Sequence, residues 1–239
     1  MDPRYTFIND SELTIRSVAR VLFRCTAEGV TYGGKYPGGF GIIAENNEEV
    51  RKSEPDTTVR TERFGDFLAE LSTFEVGSVQ SSVSMNLPTE NGSVGFSLGF
   101  VPISETSFRM TGSTGEQEID SGIEFYAMIE LMTTLFEQEE FSYGALQGEH
   151  EPLLDDDPSR MDPPMAAPAP WYSEEVADRI GRQDLLDAPS TETRELDSGG
   201  IPLITSSQPR GSIEGYRAFR NHFGYEHPPE EDWWGSEVY

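Results

Sequence analysis

The sequence predicts an α+β protein: an antiparallel sheet with packed helices and a long acidic, proline-rich surface loop. Three observations predict it. Residues 79–87 and 94–100 alternate apolar and small or polar side chains on either side of Asn91-Gly92, the pattern of a β-hairpin. Residues 116–136 are apolar on most sides at helical spacing, as a buried helix is. With 239 residues, 36% hydrophobic and 11% aromatic, the chain can build one large domain or two small ones.

The elements follow in order. Residues 11–28 place Leu13, Val18, Val21, Leu22 and Cys25 at roughly helical spacing, with Ser11 as the N-cap, although residues 13–18 also fit a strand. Four glycines and Pro37 make residues 32–40 irregular. Phe64, Phe67, Leu68, Leu71 and Phe74 form an i, i+3, i+4, i+7 stripe that predicts a helix. The hairpin comes next, and residues 107–111 can add a third strand. In the long helix, Ile119, Ile123, Tyr126, Ala127, Leu131 and Thr134 share one face, with early acids suited to the helix dipole. Residues 141–145 read as a further strand.

Composition then shifts. Residues 149–170 hold Asp155, Asp156 and Asp157 and six prolines, a linker or long surface loop. Trp171 is read as opening a short helix that Gly181 caps. Strands follow at 191–196 and 201–206, joined by Asp197-Ser198-Gly199-Gly200, and a last helix at 212–223. The expected organisation is therefore an α+β region at 1–148 and a loop or linker at 149–170. A helix–hairpin–helix at 171–224 completes the same fold, and an acidic, aromatic tail occupies 225–239.

Charge sets the environment. The formal net charge is −26, from 43 acidic and 17 basic residues. Lys35 and Lys52 are the only lysines, which leaves fifteen arginines. Acid excess with almost no lysine suggests a halophilic protein, because molar salt screens self-repulsion within about 3 Å. The same charge disfavours nucleic acid, whose phosphates need clustered Lys and Arg. Cys25 is the sole cysteine, so no internal disulfide or thiolate cluster can form. Without an apolar run of about 20 residues or a signal-peptide core, a cytoplasmic protein off the membrane is expected.

No motif for catalysis stands out. His150, His222 and His227 do not make a three-ligand metal set. Cys25 on an apolar helix face reads as a small buried side chain rather than a nucleophile. Gly33-Gly34-Lys35 lacks the spacing of a phosphate loop, and no serine sits in GxSxG. Pairs such as Glu48-Glu49, Glu139-Glu140 and Glu174-Glu175 are expected as solvated faces. Neither a catalytic residue, a metal nor a cofactor is predicted. Asp155, Asp156 and Asp157, together with Trp233 and Trp234 beside Glu230-Glu231-Asp232, are the candidate partner contacts, since aromatic anchors ringed by charge recur at interfaces.

Trp171, Gly181, Leu185-Leu186, Ala188-Pro189 and Gly199-Gly200, followed by Pro209, Arg210 and 216–223, form a distinctive cadence. It resembles a segment of the immunity protein 52 family of small bacterial proteins that neutralise polymorphic toxins, over roughly 169–223. The resemblance implies a non-enzymatic protein that caps a basic toxin, a nuclease of restriction-endonuclease type. Trp171, Gly181, Pro189, Gly199 and Gly200 have structural reasons of their own, as core anchor, caps and turn. The alternatives are a small-molecule enzyme with an unrecognised site, or an assembly protein of a viral or defence locus.

Overall fold

The N-terminal residues Arg4–Asn9 form strand β1, which runs down the middle of the sheet. The computed structural model describes residues 4–32, 40–44, 58–61, 64–73, 76, 79–90, 92–114, 122–147, 167–206 and 213–224. Among these, the sheet has the order β10-β11-β9-β8-β1-β7-β6-β5-β3-β4, with β2 also on β5, and every pairing is antiparallel. The strands are β2 (Thr31–Tyr32), β3 (Phe40–Ala44), β4 (Thr58–Thr61), β5 (Val79–Thr89), β6 (Gly92–Ser104), β7 (Ser107–Thr114), β8 (Tyr143–Gln147), β9 (Ala169–Tyr172), β10 (Glu192–Thr193) and β11 (Ile201–Ile204). The fold is α+β.

The hairpin forms where alternation requires it. Val83, Met85 and Leu87 of β5 and Val94, Phe96, Leu98 and Phe100 of β6 are buried on one face. Thr89 pairs with Gly92, and β7 continues the meander. β1 closes it by pairing with both β7 and β8. Five of its six residues are buried, as befits a strand with neighbours on both sides.

Three helices cover that face: α1 (Ile15–Ala27), α2 (Phe64–Leu71) and α3 (Gly122–Gln138). α1 turns Val18, Val21, Leu22 and Cys25 inward. Its N-cap is Thr14, whose hydroxyl accepts from Ser17 N at 3.1 Å, and not Ser11. The expected start of the long helix, residues 116–121, lies outside the described residues. Its buried face also differs from expectation. Phe125, Met128, Ile129, Met132 and Phe136 face the core, while Ile123 is exposed and Tyr126, Ala127 and Thr134 are half-buried. A helix apolar nearly all round gives no periodic signal for its inner side, and the sheet decides.

The hub of the core is aromatic. The Phe7 ring centroid lies 5.1 Å from Trp171, 5.4 Å from Phe141 and 6.0 Å from Phe136. Gly144 is the strand partner of Phe7, and a Cβ there would stand 2.2 Å from Phe7 Cδ1. Only glycine leaves room for the ring.

A second apolar cluster lies across the sheet. Alternation turns Ala169 and Trp171 to the first face and Tyr172 to the other, where it meets Tyr143, Ile201 and Leu203. Val176 and Ala177 of α4 (Glu174–Ile180), Leu185 of α5 (Arg182–Leu186) and Phe219 of α6 (Ile213–His222) complete it. Trp171 therefore does not open a helix. It lies in β9, and the helix begins at Glu174 behind Ser173, whose hydroxyl accepts from Val176 N at 3.3 Å. β9 also starts at Ala169, inside the segment expected to be loop, with Pro170 opposite Ala145. The Leu185-Leu186 turn is the end of α5.

Candidate functional site

Two glycines of the distinctive cadence, Gly181 and Gly199, meet at one side chain, Arg182. Gly181 adopts φ 120° and breaks the path between α4 and α5, so that Arg182 begins the second helix. From there Arg182 Nε donates to Asp178 Oδ1 at 2.8 Å. Its Nη1 donates to Glu195 Oε1 at 2.7 Å and to the Gly199 carbonyl at 2.8 Å. Gly199 has φ 78°, and a Cβ there would press on the Glu174 carboxylate at 3.0 Å; one at Gly200 would stand 3.1 Å from the Tyr172 carbonyl. One guanidinium thus fastens the helix corner to the β10–β11 turn. Carboxylate hydrogen bonds, Asp178 first, raise the Arg182 pKa further above its ordinary value.

Trp171 is fully buried and donates its indole N–H to Thr133 Oγ1 at 2.9 Å, tying β9 to α3. Above it, Arg194 pairs with both carboxylate oxygens of Glu130 and with Glu192. A tight cleft with no room for a water molecule runs past Ile129, Thr133, Trp171, Arg194 and Pro202. Pro189 is exposed next to buried Ala188. The five cadence residues thus act on packing and turns.

What this end presents to solvent is mostly carboxylate, with Arg179 of α4 among it. Glu174, Glu175, Asp184, Asp187 and Asp197 are exposed on α4, α5 and the hairpin turn, close to Asp178 and Glu195. Asp155, Asp156, Asp157, Trp233 and Trp234 lie outside the described residues, as do Gly33, Gly34, His150, Arg210 and His227. His222 Nε2 lies 2.8 Å from the Asp184 carbonyl oxygen, so it ties α6 to α5. Cys25 is buried, and desolvation pushes its pKa up to about 12. Among the described residues no three of His, Cys, Asp and Glu are placed to hold a metal. No helix among them is long and apolar enough to cross a membrane.

One acidic pair departs from expectation. Glu140 is exposed, but Glu139 is only 2% exposed and is no part of a solvated face. It stands just past α3, where its Oε2 accepts from Arg20 Nε at 2.6 Å and its Oε1 lies 3.5 Å from Arg24 Nε. The Asn9 side chain donates to its carbonyl at 2.8 Å. Sequence reasoning passed over these arginines. Their four-residue spacing, 16, 20 and 24, on a helix without an acid was the available signal.

No family model matches the chain, and no curated protein matches it. A solved structure is similar: the Pseudomonas aeruginosa T6SS protein PA0821, with a TM-score of 0.50 and 10% identity, over 92% of this chain and 72% of that one. At that identity the likeness is one of fold.

Proposed function

We propose that this chain is a protein-binding protein of immunity type, which neutralises a basic toxin by covering its active cleft. The observation that carries the reading is the fold shared with a T6SS protein over nearly the whole chain. Two further features support it. The segment from Trp171 to Gly200 builds a unit cross-linked by Arg182, and that unit exposes carboxylates on two helices and a turn. Such a surface suits a cationic cleft shaped for phosphates, because complementary potentials speed encounter and select partners. Asp155–Asp157 and Trp233-Trp234 belong to the proposal as additional contacts. A halophilic setting, in which such contacts must hold at molar salt, fits the scarcity of lysine.

The test is co-expression with the gene adjacent to this one. The reading expects a product that is toxic alone and harmless with this chain, and a stoichiometric complex that survives molar salt. Protection should fail in the folded triple variant Glu174→Lys, Glu175→Lys, Asp187→Lys. A harmless neighbour, or unchanged protection by the triple variant, would count against the reading or against this surface respectively.

A further inference from the structure

Helix α1 carries an unusual outer face. Its thirteen residues include Arg16, Arg20 and Arg24 and no acid, in a chain with 43 acidic and 17 basic residues. Arg16, Arg20, Phe23 and Arg24 follow one another at i, i+4, i+7 and i+8, so they form a single stripe. All four are exposed, and Phe23 at 59% is the most exposed large apolar side chain among the described residues.

The stripe is held in place from below. Phe23 sits edge-on against Phe64 at 5.1 Å, and Phe64 stacks on Tyr32 at 5.4 Å. The Tyr32 hydroxyl donates to the Leu22 carbonyl at 2.5 Å and lies 2.9 Å from Thr26 Oγ1, which binds the ladder back to α1. The arginines are oriented as well. Arg20 donates through its Nε to buried Glu139 at 2.6 Å, and Arg24 Nε lies 3.5 Å from the other carboxylate oxygen, while both side chains stay half exposed. A guanidinium fixed at Nε keeps a fork of donors suited to carboxylates.

We infer that this stripe is a docking site for a protein surface that offers carboxylates around an apolar socket, with Phe23 as the anchor. Aromatic side chains and arginine are the residues that dominate interface energetics, and immobilised ones bind at lower entropic cost. Charge complementarity selects the occupant. A nucleic acid would meet the arginines but also the field of a chain at −26, and it has no use for a fixed phenyl edge. The inference is independent of the toxin reading, whose surface lies on α4, α5 and the β10–β11 turn.

The experiment is site-specific photo-crosslinking in the native cells at their own salt, with Phe23→p-benzoylphenylalanine and, as control, Glu105→p-benzoylphenylalanine at the β6–β7 turn. The expected result is one protein adduct at the first site, mapped to an apolar residue flanked by Asp or Glu. Arg16→Glu, at an exposed position without a hydrogen bond or ion pair among the described residues, should lower its yield about tenfold. Four results overturn the inference: adducts only with a second copy of the chain, adducts with nucleic acid, a yield indifferent to Arg16→Glu, or labelling no stronger than at the control. Circular dichroism of Arg16→Glu and Phe23→Ser should match the parent, which separates lost docking from lost folding.

Discussion

Arginine is used in opposite ways at two places in this molecule. Arg182 and Arg194 are each held by several acceptors: Asp178, Glu195 and the Gly199 carbonyl for the first, Glu130 and Glu192 for the second. Their donors are committed to joining α4, α5, α3 and the β10–β11 hairpin. On α1, Arg20 and Arg24 lean on one buried carboxylate by a single nitrogen each, and Arg16 makes no ion pair among the described residues. The same side chain is mortar in one region and display in the other. Counting charges would not separate the two; what separates them is how many donors remain open.

The largest test of this contrast is at the anchor of the mortared region. Trp171→Ala removes a buried indole from between Phe7 and α3 and leaves the Thr133 hydroxyl without its donor. A loss of about 3–5 kcal/mol is expected, read as a lowered urea midpoint. A loss below about 1 kcal/mol would mean that β9 is not fastened by its tryptophan. Partner binding at the α1 stripe should survive wherever the variant remains folded.

A smaller effect is expected at alkaline pH. Desolvation raises the Tyr172 pKa well above its ordinary value, and Cys25 is pushed up to about 12. Both groups ionise more easily in the unfolded chain, so the stability they allow is complete at neutral pH. It is lost as pH rises from about 9 toward 12. Tyr172→Phe should flatten that fall by more than about 1 kcal/mol at the alkaline end. It should cost little at pH 7, because the Tyr172 hydroxyl is buried without a hydrogen-bond partner. Thermal melts across this range decide it, and an unchanged slope would show that the second cluster opens before its tyrosine titrates.

How much of this was legible follows from the kind of signal each element carries. The β5–β6 hairpin was readable because Val83, Met85, Leu87 and Val94, Phe96, Leu98 repeat with period two. α2 was readable from Phe67 and Leu71. The inner face of α3 was not, since Ile123, Tyr126 and Ala127 offer as apolar a side as Phe125, Met128 and Ile129, and only the sheet distinguishes them. β1 has six residues and is buried on both faces, so it has little alternation between apolar and polar. β9 was hidden by Pro168 and Pro170, which read as loop because proline cannot donate to a ladder. Gly181 and Gly199 were legible as turn positions, yet their convergence on Arg182 needed the fold. The acidic Asp155–Asp157 run and the Trp233-Trp234 pair fall outside the described residues, whereas Glu139, taken for one more surface acid, is the buried support of Arg20 and Arg24.

The finest test sets one arginine of each kind side by side. Arg182→Gln breaks three directed contacts at a helix corner, so its melting temperature should fall, and the fall should shrink in molar salt where the ion pairs are screened. Arg16→Glu touches no partner among the described residues and should change stability by no more than about 0.5 kcal/mol at any salt. If Arg16→Glu destabilised the chain as much as Arg182→Gln, the α1 stripe would be part of the scaffold and the contrast would collapse. If both were silent, the corner would be held by Gly181 and the second apolar cluster alone. The expected pattern, a salt-dependent loss at Arg182 and none at Arg16, leaves the α1 guanidinium with no role in the fold and so available for a partner.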